Sequence, residues 1–100
     1  MADIPAPADA HRLFAWRNYK GRNARAFIGY RNSIDSPGAP VVIEVLGLQY
    51  ADGAIERTVG IEGMPDEMTP AIARAIAAAL TEAAERIDNA STRLWRPQSN

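Results

Sequence analysis

The sequence predicts an α+β domain: an antiparallel sheet of three to four strands in the order β-β-β-β-α, with one C-terminal amphipathic helix packed on one face. Apolar and β-branched runs separated by glycine-containing turns precede an apolar repeat of helical period. One hundred residues, 47% of them hydrophobic, are enough for one core and too few for two. We therefore expect a single domain over residues 11–95. Residues 1–10 and 96–100 are aperiodic, contain proline and are expected to be a flexible arm and a flexible tail.

The first two strands are predicted at residues 12–19 and 25–31, on either side of the turn sequence KGRN. The apolar residues of the first run do not alternate cleanly. A short helix that begins at a cap on Asp9 and runs through Trp16 is therefore the alternative for this segment. The sequence SPGAP, residues 36–40, is a loop between this half and the next.

The last two strands are predicted in VVIEVLGLQY and IERTVGIEG, joined by ADGA. Asp-Gly favours a two-residue type I′ turn, because both residues tolerate positive φ. With Asp52 and Gly53 at the tip, Tyr50 pairs with Ile55 and Leu46 pairs with Val59. The predicted core face then holds Tyr50, Leu48, Leu46, Ile55, Val59 and Ile61.

The helix is predicted to begin after Thr69, a good N-cap residue, with Pro70 at the first helical position. We expect it to continue to about Leu94 and to end before Pro97. At 100° per residue, one narrow stripe gathers the apolar side chains. The stripe consists of Ile72, Ile76, Ala79, Leu80, Ala83 and Ile87. Its alanines allow the helix to lie close to the sheet.

One helix leaves the second face of the sheet open. The predicted register places Ile43 and Val45 on that face, which makes them the candidate interface residues. Partly apolar second faces are commonly solvated, but small α+β proteins also dimerise or bind partners through them. A protein partner or a homo-oligomer is therefore the first functional expectation.

Residues 10–34 contain six of the eleven basic residues, five of the seven aromatic residues and no acidic residue. We call them the basic segment. Arginines that neutralise phosphates beside rings that stack on bases are typical of single-stranded nucleic-acid binding, and an acidic protein partner would suit them equally. The candidate residues are Arg17, Lys20, Arg22, Arg25, Arg31, Trp16 and Tyr19. In the alternative interpretation, the aromatics fill the core and the arginines form a solvated strand face.

No catalytic, metal or cofactor-binding constellation is evident. The chain has no cysteine, His11 is its only histidine, and neither Gly60 nor Gly63 begins a phosphate-binding loop. We therefore expect a non-enzymatic protein without a small-molecule substrate, and a small enzyme completed by a partner chain is the remaining alternative. Neither a secretory signal nor a run of about 20 apolar residues is present, so a cytoplasmic location without membrane insertion is expected.

The hairpin of residues 41–62 and the following helix, which begins TPAIARAIAAALTEAAE, resemble small proteins of unknown function encoded by actinobacteria and their phages. The resemblance covers residues 41–90, about half of the chain. It implies a fold and a host group and carries over no functional residue. The basic segment matches no pattern in that group.

Overall fold

A computed structural model describes residues 4–95 of the chain, with side chains for residues 4–90. The elements are the strands β1 (Arg12–Tyr19), β2 (Arg22–Ile34), β3 (Val41–Tyr50) and β4 (Ile55–Glu62), followed by the helix α1 (Pro70–Trp95). The four strands form one antiparallel sheet in the order β1-β2-β3-β4. The predicted fold class is confirmed. The predicted tail lies outside the described residues.

The helix begins where its sequence predicts. The Thr69 hydroxyl accepts a hydrogen bond of 3.2 Å from the backbone N–H of Ile72, which satisfies a donor that the first turn would leave unpaired. The predicted stripe packs on β3, and its residues Ile76, Ala79 and Ala83 are buried in this contact. The side chain of Leu94 lies outside the described part. No helix within residues 4–95 is long and apolar enough to cross a membrane.

The first hairpin confirms strands rather than a helix for residues 12–19. Its turn has two residues, Lys20 and Gly21, which have φ of 52° and 86°, as a type I′ turn requires. Asn18 supports the turn, since its Oδ1 accepts a hydrogen bond of 2.9 Å from the Gly21 N–H. The type I′ turn predicted for the second hairpin therefore occurs in the first.

The second hairpin has a three-residue loop instead. The Gly53 N–H donates to the Tyr50 carbonyl at 2.9 Å, and the Tyr50 N–H donates to the Ala54 carbonyl at 2.8 Å. Gly53 has a φ of 94°, whereas Asp52 has no positive φ and accepts a hydrogen bond from the Ala54 N–H through its side chain. This pattern is a type I turn followed by a left-handed glycine. The predicted two-residue turn is wrong.

The extra loop residue shifts the pairing of β3 and β4 by one position. Val45 pairs with Val59 and Gln49 with Ile55, so every β3 side chain lies on the face opposite to the predicted one. Ile43 and Val45 are 0% and 1% exposed in the core under α1. Their prediction as open-face interface residues is therefore wrong. The helix-facing side predicted for β4 is correct. Leu46, Leu48 and Tyr50 of β3, which the predicted register places under the helix, lie on the opposite face of the sheet.

Residues 4–10 of the arm lie on the face of the sheet that α1 also packs against. We call this face the helix face. The Asp9 carboxylate accepts hydrogen bonds of 2.7 and 3.0 Å from Arg57. The carbonyl oxygens of Ile4 and Pro5 accept from Arg25 and Gln49, both at 2.8 Å. The arm is thus held against the sheet from Ile4 onward.

Candidate functional site

The face opposite α1 and the arm, which we call the open face, has an apolar centre formed by β2 and β3. Ile28 pairs with Leu46, and Ala26 pairs with Leu48. Side chains of directly paired residues lie on the same face, so these four form one patch. Leu46 is 38% exposed although it belongs to a central strand. The patch is therefore available for contact.

A basic edge flanks this centre on β1. Arg12 pairs with Ile28, and Arg17 pairs with Ala24, which places both guanidinium groups on the open face. A β-bulge between these positions sets Phe14 and Ala15 opposite one residue of β2. Phe14 is exposed, and the Arg12 guanidinium lies 4.9 Å from its ring centroid. The basic edge thus consists of Arg12, Phe14 and Arg17.

An acidic edge flanks the centre on the other side, on β4. Glu56 pairs with Leu48 and Glu62 pairs with Val42, so both carboxylates belong to the open face. Between the edges, Arg31 and Glu44 form a salt bridge of 3.2 Å across β2 and β3. In that pair the charge of Glu44, the one acidic residue of β3, is neutralised. The face therefore runs from positive at β1, through an apolar centre, to negative at β4.

Tyr50 closes one end of the open face. The Arg22 guanidinium lies 3.6 Å from the Tyr50 ring centroid and 3.6 Å from the Asp52 carboxylate. The Tyr50 hydroxyl donates a hydrogen bond of 3.0 Å to Glu56 Oε1. This hydrogen bond, together with burial and the charge of Glu56, raises the pKa of Tyr50 above its ordinary value. Tyr50 thus connects Arg22 of β2 with Glu56 of the acidic edge at this end of the face.

The structure divides the predicted basic and aromatic site between the two faces. Arg17, Tyr19, Arg22 and Arg31 lie on the open face, and Lys20 lies in the first turn. Trp16 and Arg25, which pair with each other, lie on the helix face. Arg25 donates to the Gln49 side chain at 2.7 Å and lies 4.7 Å from the Trp16 ring centroid. The seven residues therefore do not form one surface.

The residues that give the open face its character are not apparent from the sequence. The predicted register places Leu46 in the core, and no pattern in the sequence points to Glu56. Arg12 and Phe14 belong to the basic segment, but the sequence predicts no separate role for them. Two bulges conceal the pattern, one within β1 and one within β2 between Ile28 and Arg31, because each reverses the alternation of the side chains that follow.

A groove continues the open face beyond Ile28. Its walls include His11, Arg12, Gly29 and Glu44, and the Glu44 carboxylate is paired with Arg31. Within the described residues, no group of three or more histidine, aspartate or glutamate side chains could hold a metal ion.

Comparison of the chain with known protein families, with curated proteins and with solved structures found no match. The resemblance of residues 41–90 to small actinobacterial and phage proteins therefore stays a prediction.

Proposed function

We propose that this chain is a non-enzymatic interaction module that binds a protein surface through the open face of its sheet. The observation that supports the proposal is the exposure of Leu46 at the centre of a central strand, beside Ile28 and Leu48. Exposed apolar patches rimmed by polar groups are typical of protein interaction sites.

The arrangement has the composition of a protein interface. The centre contributes aliphatic side chains, and removing them from water is favourable by a free energy of about 25 cal/mol per Å² of apolar surface. The rim contributes Arg12, Phe14 and Arg17 on one side and Glu56 on the other. Aromatic residues and arginine are enriched at interfaces, and a charged rim selects the orientation of the partner.

A site-specific cross-linking experiment tests this function. A photoreactive benzophenone amino acid replaces Leu46 in the full chain, and cells of the source organism that express it are irradiated. The matched control carries the same group at Ile61, which is also an exposed apolar strand residue but faces the helix side. We expect a discrete protein adduct from position 46 alone. Absence of an adduct, or identical adducts from both positions, would contradict the proposal.

Nucleic-acid binding is the second candidate function, and the basic edge favours it. Arg12, Phe14, Arg17 and Tyr19 lie on β1 at the open face, and the exposed Phe14 ring between two arginines suits the bases and phosphates of a single strand. Fluorescence anisotropy with a labelled single-stranded oligonucleotide tests it. Under this candidate, log affinity falls linearly with log salt, and the Arg12→Ala/Arg17→Ala variant reduces that slope by about 1 to 2.

The matched control for that titration is Arg74→Ala, a change on the exposed side of α1. It should leave both the affinity and the salt slope unchanged. No binding even at low salt would eliminate the second candidate and leave the protein-binding function in place.

A further inference from the structure

We infer that the protein bound by the open face is a second copy of this chain, packed face to face so that β1 of each subunit lies over β4 of the other. This inference rests on the proposed function, and it names the partner. The reason is that the open face is complementary to itself: a basic edge and an acidic edge lie on opposite sides of an apolar centre.

Symmetry allows only two simple ways to stack two such faces. In both, the two-fold axis lies in the plane between the two sheets. An axis that runs across the strands places β1 over β1 and β4 over β4, so that like charges meet. A two-fold axis parallel to the strands, passing between β2 and β3, places β1 over β4 and β2 over β3. Opposite charges then meet at both edges, because a two-fold interface contains two copies of each contact. Charge complementarity therefore favours the second arrangement.

The pairing of the strands brings specific residues together in that arrangement. Residues that pair across the four strands form a row, and Glu56 is in one row with Leu48, Ala26 and the β1 bulge. Arg12 and Arg17 belong to the two neighbouring rows on this face. Neighbouring rows are about 7 Å apart, which is within the reach of an arginine side chain. Glu56 of the partner subunit would thus lie between Arg12 and Arg17.

The apolar centre matches itself in the same geometry. Exchange of β2 and β3 places Ile28 over Leu46 of the partner subunit, and Leu46 over Ile28 of the partner subunit. A sheet of four strands about 4.8 Å apart and about eight residues long offers a face of about 500 Å². Two faces would bury on the order of 1,000 Å², the lower limit for a specific interface, so a dimer of moderate affinity is expected.

Sedimentation equilibrium of the purified full chain tests the inference. The wild-type protein should dimerise, and its dissociation constant should rise at high salt, because the contacts at the edges are ionic. R12E/R17E places carboxylates against Glu56 of the partner subunit, and E56R places arginine against arginine. Each variant alone should weaken dimerisation at least about tenfold.

A mixture of the two variants provides the decisive measurement. In a heterodimer of R12E/R17E with E56R, both edges again bring opposite charges together, so the affinity should return to within about threefold of the wild type. Such recovery also shows that the variants are folded. The matched control is E85R on the exposed side of α1, which should dimerise like the wild type.

Different results overturn different statements. A wild-type chain that stays monomeric up to about 1 mM overturns the dimer. If the cross-linker at position 46 then captures another protein, the proposed function stands, and if it captures none, both fail. A dimer whose affinity is unchanged by the charge reversals, or is not restored in the mixture, overturns the β1-over-β4 arrangement.

Discussion

The ring of Phe27 lies directly over Gly47 of the neighbouring strand, so that a Cβ atom at position 47 would overlap ring atoms Cζ and Cε1. Phe27 is fully buried, and the Arg57 guanidinium lies 5.5 Å from its ring centroid. The arm holds Arg57 through Asp9. One glycine thus allows an aromatic ring to fill the part of the helix face that α1 does not cover.

Gly47→Ala should therefore lower the free energy of unfolding by about 3 kcal/mol, because the ring has no free space to move into. Urea denaturation followed by circular dichroism measures this change. Gly60→Ala is the matched control in β4. There the one contact of the added Cβ below 3 Å is with Leu46 Cδ1, at 2.8 Å and at the end of an exposed side chain, so a much smaller loss is expected. Equal losses in the two variants would contradict the packing of Phe27 on Gly47.

The ion pair between Asp9 and Arg57 should stabilise the folded state well beyond a surface pair. The Arg57 side chain is only 5% exposed and that of Asp9 is 23% exposed. Asp9→Ala leaves a buried guanidinium without this carboxylate and should cost about 3 kcal/mol. Arg57→Met removes the charge and keeps the volume, so the double variant should be more stable than Asp9→Ala alone. A loss below about 0.5 kcal/mol for Asp9→Ala would place the pair among ordinary surface contacts.

The raised pKa of Tyr50 should make stability depend on pH in the alkaline range. The neutral phenol donates to Glu56 only in the folded protein, so its contribution is complete below the ordinary tyrosine pKa of about 10. It is lost as the pH rises through the raised pKa. Glu56→Ala should return the Tyr50 titration toward its ordinary value, as measured by ultraviolet absorbance of tyrosinate with Tyr50→Phe as the reference. An unchanged titration would show that Glu56 does not shift the pKa.

The alanines of α1 should tolerate enlargement only where they face solvent. Ala83 is buried against β3, so Ala83→Leu should cost about 2 kcal/mol by separating the helix from the sheet. Ala78→Leu adds the same volume on the exposed side and should change stability by less than about 0.5 kcal/mol. Thermal denaturation of the two variants compares them directly. Similar melting temperatures would contradict close contact at Ala83.

The helix and the existence of the strands could be predicted from the sequence because their signals are local. Thr69, Pro70 and the apolar period lie within the helix that they specify, and the turn sequences lie between the strands that they join. The helix-facing side of β4 could also be predicted, since Ile55, Val59 and Ile61 alternate with polar or small residues.

The face of β3 could not be predicted from its own residues. VVIEVLGLQY is apolar at both odd and even positions, so alternation does not distinguish its two sides. One residue more in the loop at Gly53 decided the register, and with it which side chains pack under α1.

The sequence by itself thus determined the elements, their order and the stripe of the helix, because each depends on neighbours within a few residues. Only the tertiary structure decided that Leu46 is exposed while Ile43 is buried, and that Arg17 and Arg25 lie on opposite faces. The physical reason is that turn length and bulges set the pairing between strands. That pairing gathers Arg12, Leu46 and Glu56 on one surface, although they are far apart in the chain.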